Sequence, residues 1–333
     1  MDEQAAPLEA ARRAFQLGRL HEARALLVGE DGDAASLLLG RIARRLAAPS
    51  GGPVTLVWQY DNAEKWQADW IRLVLHGAYT EEIADYNRHI AFRPRMFVVE
   101  NGLTAERAGY FREAFRRGCE VVLIHLGDEW FTDDTSAYQW CRAVFRGFWS
   151  PLLHQDRDVQ YLALGYKAGF ARDAAPRPAA ERAHLWSFAG DANKSRRPAM
   201  LEALRPLGPA RLHLTSGWDT PDALDVAAYR ALMDDSVIVP CPGGWSNLDC
   251  FRVWEALEAG CIPIVERLEG FDYFREALGP HPIPTVADWT EAAACIAAWQ
   301  GESRLETLRA ACHAWWLAHK TELARRLARA IGG

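Results

Sequence analysis

Residues 236–266 read SVIVPCPGGWSNLDCFRVWEALEAGCIPIVE. Ser236–Pro240 is a short β-branched apolar run with the composition of a buried strand. Pro242-Gly243-Gly244 signals a turn, and Ser246-x-x-Asp249 has capping-box spacing for the helix that follows. Gly260 stops that helix, and Cys261–Val265 supplies a second apolar strand. Strand, turn, helix, strand is a βαβ unit, which pairs its strands in parallel. A turn that opens a helix after a parallel strand offers free N–H groups and the positive end of the helix dipole to an anion. Arg252 and Glu255 lie three apart and share one helix face. A cation and a carboxylate so placed could hold a diphosphate and a ribose. An ordinary surface ion pair on an ordinary βαβ unit explains the same spacing.

The flanking sequence repeats the alternation. Val54–Trp58, Met96–Val99, Val121–Leu126 and Val159–Leu164 read as strands. Thr104–Arg117, and the face formed by Trp66, Trp70, Leu73 and Val74, read as helical. After an Ala/Pro/Arg-rich connection at 171–182 come strands at Leu185–Phe188 and Leu212–Leu214, with helices at Ser195–Leu204 and Ala223–Met233. Trp289–Trp299 and Leu305–Ile331 are also helical. The pattern predicts an α/β protein of two doubly wound Rossmann-like domains, residues 54–170 and 184–300, facing a cleft, with a long helix in 301–333. Residues 1–46 read as a helical hairpin around Gly18-Arg19-Leu20, similar to one tetratricopeptide unit. It is either a docking arm or a packed extension, joined by a linker at 48–53.

At 333 residues, half hydrophobic and a quarter charged, the chain has room for two cores. A net charge of −6 with no basic block speaks against a nucleic-acid or anionic-membrane partner. No apolar run approaches the roughly 18 residues of a membrane span, and Met1–Glu9 has no apolar leader core. Seven scattered cysteines without a C-x-x-C pair suit reduced thiols. These features predict a cytoplasmic location. The fourteen tryptophans suit either core packing or a sugar-handling cleft.

The ordered series Tyr229, Ser236, Pro242-x-Gly244, Arg252, Glu255-Ala256 and Gly260-Cys261-Ile262-Pro263 resembles the signature of exostosin-type glycosyltransferases, over about the C-terminal third of the chain. The resemblance implies a GT-B fold with a donor-nucleotide domain here, Glu255 on the donor ribose, and a last helix that crosses back to the first domain. It also implies an inverting transfer from a nucleotide sugar to a glycan or protein hydroxyl. Phe188-Ala189-Gly190 followed by Lys194-Ser195-Arg196-Arg197 fits the same pattern. Lys194, Arg196 and Arg197 would neutralise the diphosphate leaving group, Arg196 foremost, with Ser195 capping the helix. Solvated charge around an N-cap is the plainer reading. Gly243 and Gly244 would let the nucleotide approach closely, Trp245 would stack on a ring, and Ser246 and Asn247 complete the turn.

His125-x-Gly127-Asp128-Glu129 follows the clearest strand of the first domain. An inverting transfer needs a base for the acceptor hydroxyl, and function gathers at the carboxyl ends of parallel strands. Asp128 or Glu129 fits that role, oriented by His125, with Asp61 and Glu100 as rivals at other strand ends. Alternatively Asp128 caps a turn and His125 is a satisfied core residue. D-x-D appears only as Asp31-Gly32-Asp33 and Asp156-Arg157-Asp158, away from strand ends, and no zinc spacing is present. No metal and no cofactor beyond the nucleotide-sugar substrate is expected. The lack of an anchor and of a disulfide framework separates the chain from the eukaryotic pattern and points to a cytoplasmic, bacterial-type member. A non-catalytic scaffold of the same fold and a sugar-nucleotide epimerase are the alternative functions.

Overall fold

A computed structural model of the chain describes residues 5–16, 20–47, 51–58, 66–77, 79–83, 92–154, 158–217, 220–300 and 302–332. Two units emerge from its contacts, one of residues 1–61, 76–162 and 325–333, the other of residues 62–75 and 163–324.

The first unit opens with α1 (Ala5–Gln16), α2 (Leu20–Ala25) and α3 (Asp33–Leu46). Three helices, and not a two-helix hairpin, bury Ala11, Phe15, Ala23, Leu27, Leu38 and Ile42 together. Gly18 and Arg19 of the expected turn and residues 48–50 of the expected linker lie outside the described residues, as do Asp61, Asp156 and Arg157. The helices are a packed extension: the Arg44 guanidinium covers the Phe115 ring at 3.5 Å, and Arg41 lies 3.8 Å from Asp158.

The sheet of this unit starts with β1 (Val54–Trp58); α4 (Ala68–Leu75) then departs to the second unit. β2 (Tyr79–Ile83), β3 (Arg95–Glu100), α5 (Ala105–Arg116), β4 (Glu120–His125), β5 (Ala143–Arg146) and β6 (Val159–Tyr161) follow. The order is β2-β1-β3-β4-β5-β6, all parallel. Such strands are buried on both faces, which is why β3 and β4 are nearly continuous apolar runs. Val57, Val98, Phe111, Leu123 and Val144 form the core. Thr104 caps α5 by accepting the Arg107 N–H at 3.3 Å. Register places Glu100, His125 and Arg146 side by side at the carboxyl ends of β3, β4 and β5.

The second unit contains β7 (His184–Asp191), α6 (Arg197–Leu204), β8 (Ala210–Thr215), α7 (Val226–Asp234), β9 (Ser236–Cys241), α8 (Phe251–Glu258) and β10 (Ile262–Glu266). α9 (Tyr273–Leu278), β11 (Thr285–Val286), α10 (Trp289–Trp299) and α11 (Glu302–Ile331) complete it. Its parallel order is β11-β10-β9-β7-β8. The chain steps outward from β7 to β8 and returns to the other side of β7 at β9. The carboxyl ends of β7 and β9 therefore flank a topological switch point, the usual ligand crevice of open α/β sheets. Trp58, Trp70, Trp186, Trp254 and Trp316 are fully buried, and Trp316 stacks on Trp70 at 5.1 Å, so core packing takes these five. Residues 325–331 of α11 belong to the first unit, where Arg142 donates to the Ala330 carbonyl at 2.7 Å and Arg95 to that of Ile331. Two guanidiniums thus satisfy carbonyls that the helix end leaves open.

Two expected caps are absent. Helix α8 begins at Phe251 behind Cys250 with no side-chain cap bond; Asp249 is buried and takes the Trp254 indole N–H at 2.8 Å instead. Ser195 stands at φ 54, one residue before the α6 cap position, and does not cap the helix. Among the described residues no helix is long and apolar enough to cross a membrane.

Candidate functional site

At the switch point two turns converge on Gly190. Helix α6 supplies Arg197 and α8 supplies Arg252, and a Cβ on Gly190 would lie 3.1 Å from Arg252 Nη2 and 3.7 Å from Arg197 Nη1. Gly190 has φ 138, so conformation demands glycine, and a Cβ there would also press on the Arg252 guanidinium. Each guanidinium lies over the Phe188 ring, at 4.6 Å for Arg252 and 5.7 Å for Arg197. Arg252 donates to the Ala189 carbonyl at 2.8 Å and Arg197 to that of Asp191 at 2.9 Å. Both Nε atoms are buried without a hydrogen-bond partner. No carboxylate pairs with either arginine among the described residues. Burial, followed by the neighbouring charge of Arg252, lowers the Arg197 pKa to about 10. Burial disfavours the Arg252 charge, but nearby groups that include Glu255 more than offset it and its pKa is raised; the two buried Nε donors are what the pair offers an anion.

The other expected residues divide. Arg196 instead meets the buried Glu266 carboxylate at 3.2 Å. The guanidinium that joins Arg252 is thus one residue further along. Glu266, at the end of β10, was not anticipated; its Oε2 is buried without a hydrogen-bond partner, and burial pushes its pKa up. Lys194 lies 4.7 Å above the ring of Trp245, which is 64% exposed. Gly244 N–H donates to the Asn247 carbonyl at 2.7 Å, and Asn247 Oδ1 accepts from Asp249 N–H at 3.0 Å. Asn247 therefore shapes the turn. Ser246 is exposed on it, and a Cβ on Gly243 would crowd the Asn247 carbonyl at 3.1 Å. Glu255 is buried beneath, accepting from the Lys167 backbone N–H and the Tyr229 hydroxyl; burial raises its pKa to about 7. Cys241 is buried with its pKa driven well up by desolvation, as an inert thiol would be.

In the first unit the loop after β4 is held by a closed ring of polar groups. The Asp128 carboxylate accepts the N–H groups of Thr132 (2.6 Å) and Asp133 (3.1 Å) and Arg146 Nη2 (3.1 Å). Arg146 Nη1 donates to the Tyr138 hydroxyl at 3.0 Å. That hydroxyl meets His125 Nδ1 at 2.7 Å, and His125 Nε2 meets Asp133 Oδ2 at 2.9 Å. Burial lowers the His125 pKa, and the His125 bond lowers that of Asp133. A neutral imidazole protonated on Nε2 satisfies every member: it donates to Asp133 and accepts from Tyr138. Asp128 is spent in this ring, its side chain 1% exposed against a fully buried Arg146. Glu129 beside it is half-buried. Glu100 pairs with Arg107 at 2.5 Å and is raised to about 7 by burial. Tyr138 and Arg146 lack any local motif, so sequence reading could not assign them. Among the described residues no three His, Cys, Asp or Glu side chains converge as a metal site would.

No protein-family model matches the chain, and no curated protein matches it. Solved structures do. Anabaena Alr3699/HepE in complex with UDP and glucose aligns over 84% of this chain and 99% of its own, with TM-score 0.52 and 9% identity. The same protein in complex with UDP gives 0.50, with the same coverage and identity. An α1,3-fucosyltransferase gives 0.44 at 12% identity over 84% of this chain and 92% of that one. The fold is GT-B. At 9% identity the HepE likeness is one of architecture, and it agrees with the two parallel sheets of six and five strands.

Proposed function

We propose that the protein is an inverting, metal-independent glycosyltransferase that moves a sugar from a nucleotide-sugar donor to a glycan or protein hydroxyl. The observation that carries this reading is the pair Arg197 and Arg252 at the switch point of the second sheet, each with a buried Nε that has no hydrogen-bond partner. In single displacement the acceptor oxygen attacks the anomeric carbon while the bond to the diphosphate breaks, and the bonding electrons leave on the diphosphate. The two guanidiniums neutralise that charge, a task a divalent cation would otherwise perform. Glu255 accepts from the ribose hydroxyls, and Trp245 stacks on the base or sugar. Glu129, the carboxylate next to Asp128 and outside the ring, takes the acceptor proton. The UDP complex of HepE makes a uridine nucleotide the first donor to try.

Thermal shift in the absence of metal tests the donor assignment. UDP or another nucleoside diphosphate should raise the wild-type midpoint by mass action and leave the Arg252→Ala midpoint unmoved. If no nucleotide at millimolar concentration shifts the wild type, the transferase reading falls.

A further inference from the structure

Four non-glycine residues have left-handed backbone among the described residues: Asp128, Phe131, Phe148 and Ser195. Ser195 belongs to the turn before Arg197. The other three sit in the loops after β4 and β5, and strain of this kind persists where surrounding structure enforces it, commonly at ligand sites. The enforcing structure here is the ring through Asp128, Arg146, Tyr138, His125 and Asp133. Its five members come from β4, β5 and the intervening chain, and it closes on both sides of Trp130 and Phe131.

What the ring holds out is aromatic. Trp130 is 62% exposed and Phe131 42% exposed, on adjacent residues next to Glu129 and past the carboxyl end of the central strand of the sheet. Arg146 lies 5.2 Å from the Phe131 ring centre and holds it from below. Ordinary folding buries such rings, as it buries Trp58 and Phe111 in the same unit. A loop bent against its backbone preference to expose two rings is organised for a ligand with an apolar face.

Building on the transferase reading, we propose that Trp130 and Phe131 are the acceptor platform and that the acceptor is a carbohydrate. The C–H face of a pyranose stacks on an indole or phenyl ring, and stacking leaves the ring hydroxyls at the edge, on a loop that also carries Glu129. A peptide hydroxyl presents no such flat C–H face to the two exposed rings.

The test uses the full chain, wild type against Trp130→Ala and Phe131→Ala, on an array of immobilised oligosaccharides with serine and threonine peptides as a second panel. Each protein is also melted with and without UDP. The wild type should bind at least one oligosaccharide class, and each variant should lose roughly tenfold or more of that binding. Their melting points and UDP shifts should stay at wild-type values, which separates a lost platform from a misfolded loop. Undiminished oligosaccharide binding in both variants overturns the proposal, as does a wild type that captures peptides alone or nothing. An absent UDP shift with oligosaccharide binding that depends on Trp130 would sink the transferase reading and leave the platform standing.

Discussion

The guanidinium groups of Arg197 and Arg252 meet over Gly190 with no carboxylate paired to either. The cost falls on Arg197, whose charge is disfavoured first by burial and then by Arg252. Arg197→Met removes that repulsion, keeps the aliphatic contact with Phe188, and loses one hydrogen bond to the Asp191 carbonyl. The unliganded variant should melt at or above the wild-type temperature. Nucleotide affinity should fall about 10- to 100-fold, because a hydrogen bond to a charged group is worth about 1.5–3 kcal/mol. Melting with and without UDP measures both, and unchanged affinity would remove Arg197 from the site.

Glu255 makes a prediction about pH. Its pKa of about 7 in the folded protein lies above the ordinary 4.5, because burial disfavours the carboxylate. The native state therefore holds a proton that the unfolded chain releases. This contribution favours folding fully below about pH 4.5 and is lost as pH rises through about 7. Glu255→Gln abolishes the dependence. Relative to wild type, the unliganded variant should gain stability between pH 5 and pH 8, by up to about 3 kcal/mol. Glu100, also raised to about 7, contributes equally to both proteins and cancels. Urea titrations at the two pH values suffice, and a constant difference would refute the assignment.

Much of the architecture is legible because both sheets are parallel and doubly buried. β4 and β9 announce themselves as unbroken apolar runs, and their turns follow from Gly127 and Pro242-Gly243-Gly244. β2 and β5 do not. Tyr79–Ile83 carries two glutamates on an edge strand, and Ala143–Arg146 is four residues long and ends in a buried arginine. Arg252 and Glu255 could be set on one helix face from spacing alone, whereas choosing Arg197 over Arg196 required the start of α6 to within one residue. Asp249 reads as a cap until Trp254, five residues on, is seen to claim it. The ring around Asp128 is illegible for a different reason, since side-chain closure between separate loops leaves no periodic trace.

Gly127 separates tight packing from permissive backbone. A Cβ there would lie 1.8 Å from the Asn101 carbonyl oxygen and 3.0 Å from its carbon, both main-chain atoms of the neighbouring strand end. Gly127→Ala must displace backbone and should cost about 3 kcal/mol or more. Gly109, inside α5, has nothing within 4 Å of the same position. Gly109→Ala should stabilise by up to about 1 kcal/mol, through helix propensity. Chemical denaturation of the two variants should therefore move in opposite directions, and a tolerated Gly127→Ala would mean the β4 loop is not held as described.

Asp128 and Glu129 are neighbours whose amide variants should fail differently. Asp128→Asn keeps the shape but removes the charge opposite a fully buried Arg146. Leaving that guanidinium uncompensated should cost about 3–5 kcal/mol, so any fall in transfer would track a fall in stability. Glu129 is half-buried outside the ring, and Glu129→Gln should cost less stability than Asp128→Asn, because it takes no charge from the fully buried Arg146. Loss of a general base typically costs about 100- to 10,000-fold in rate. Glu129→Gln should lose that much transfer while its UDP-induced thermal shift stays at the wild-type value, because the residues proposed to hold the donor belong to the other unit. A Glu129→Gln protein that is stable, shifts with UDP and transfers sugar at the wild-type rate would place the base elsewhere. Glu100 would be examined next, since burial already holds its pKa at about 7, the range a base needs near neutral pH.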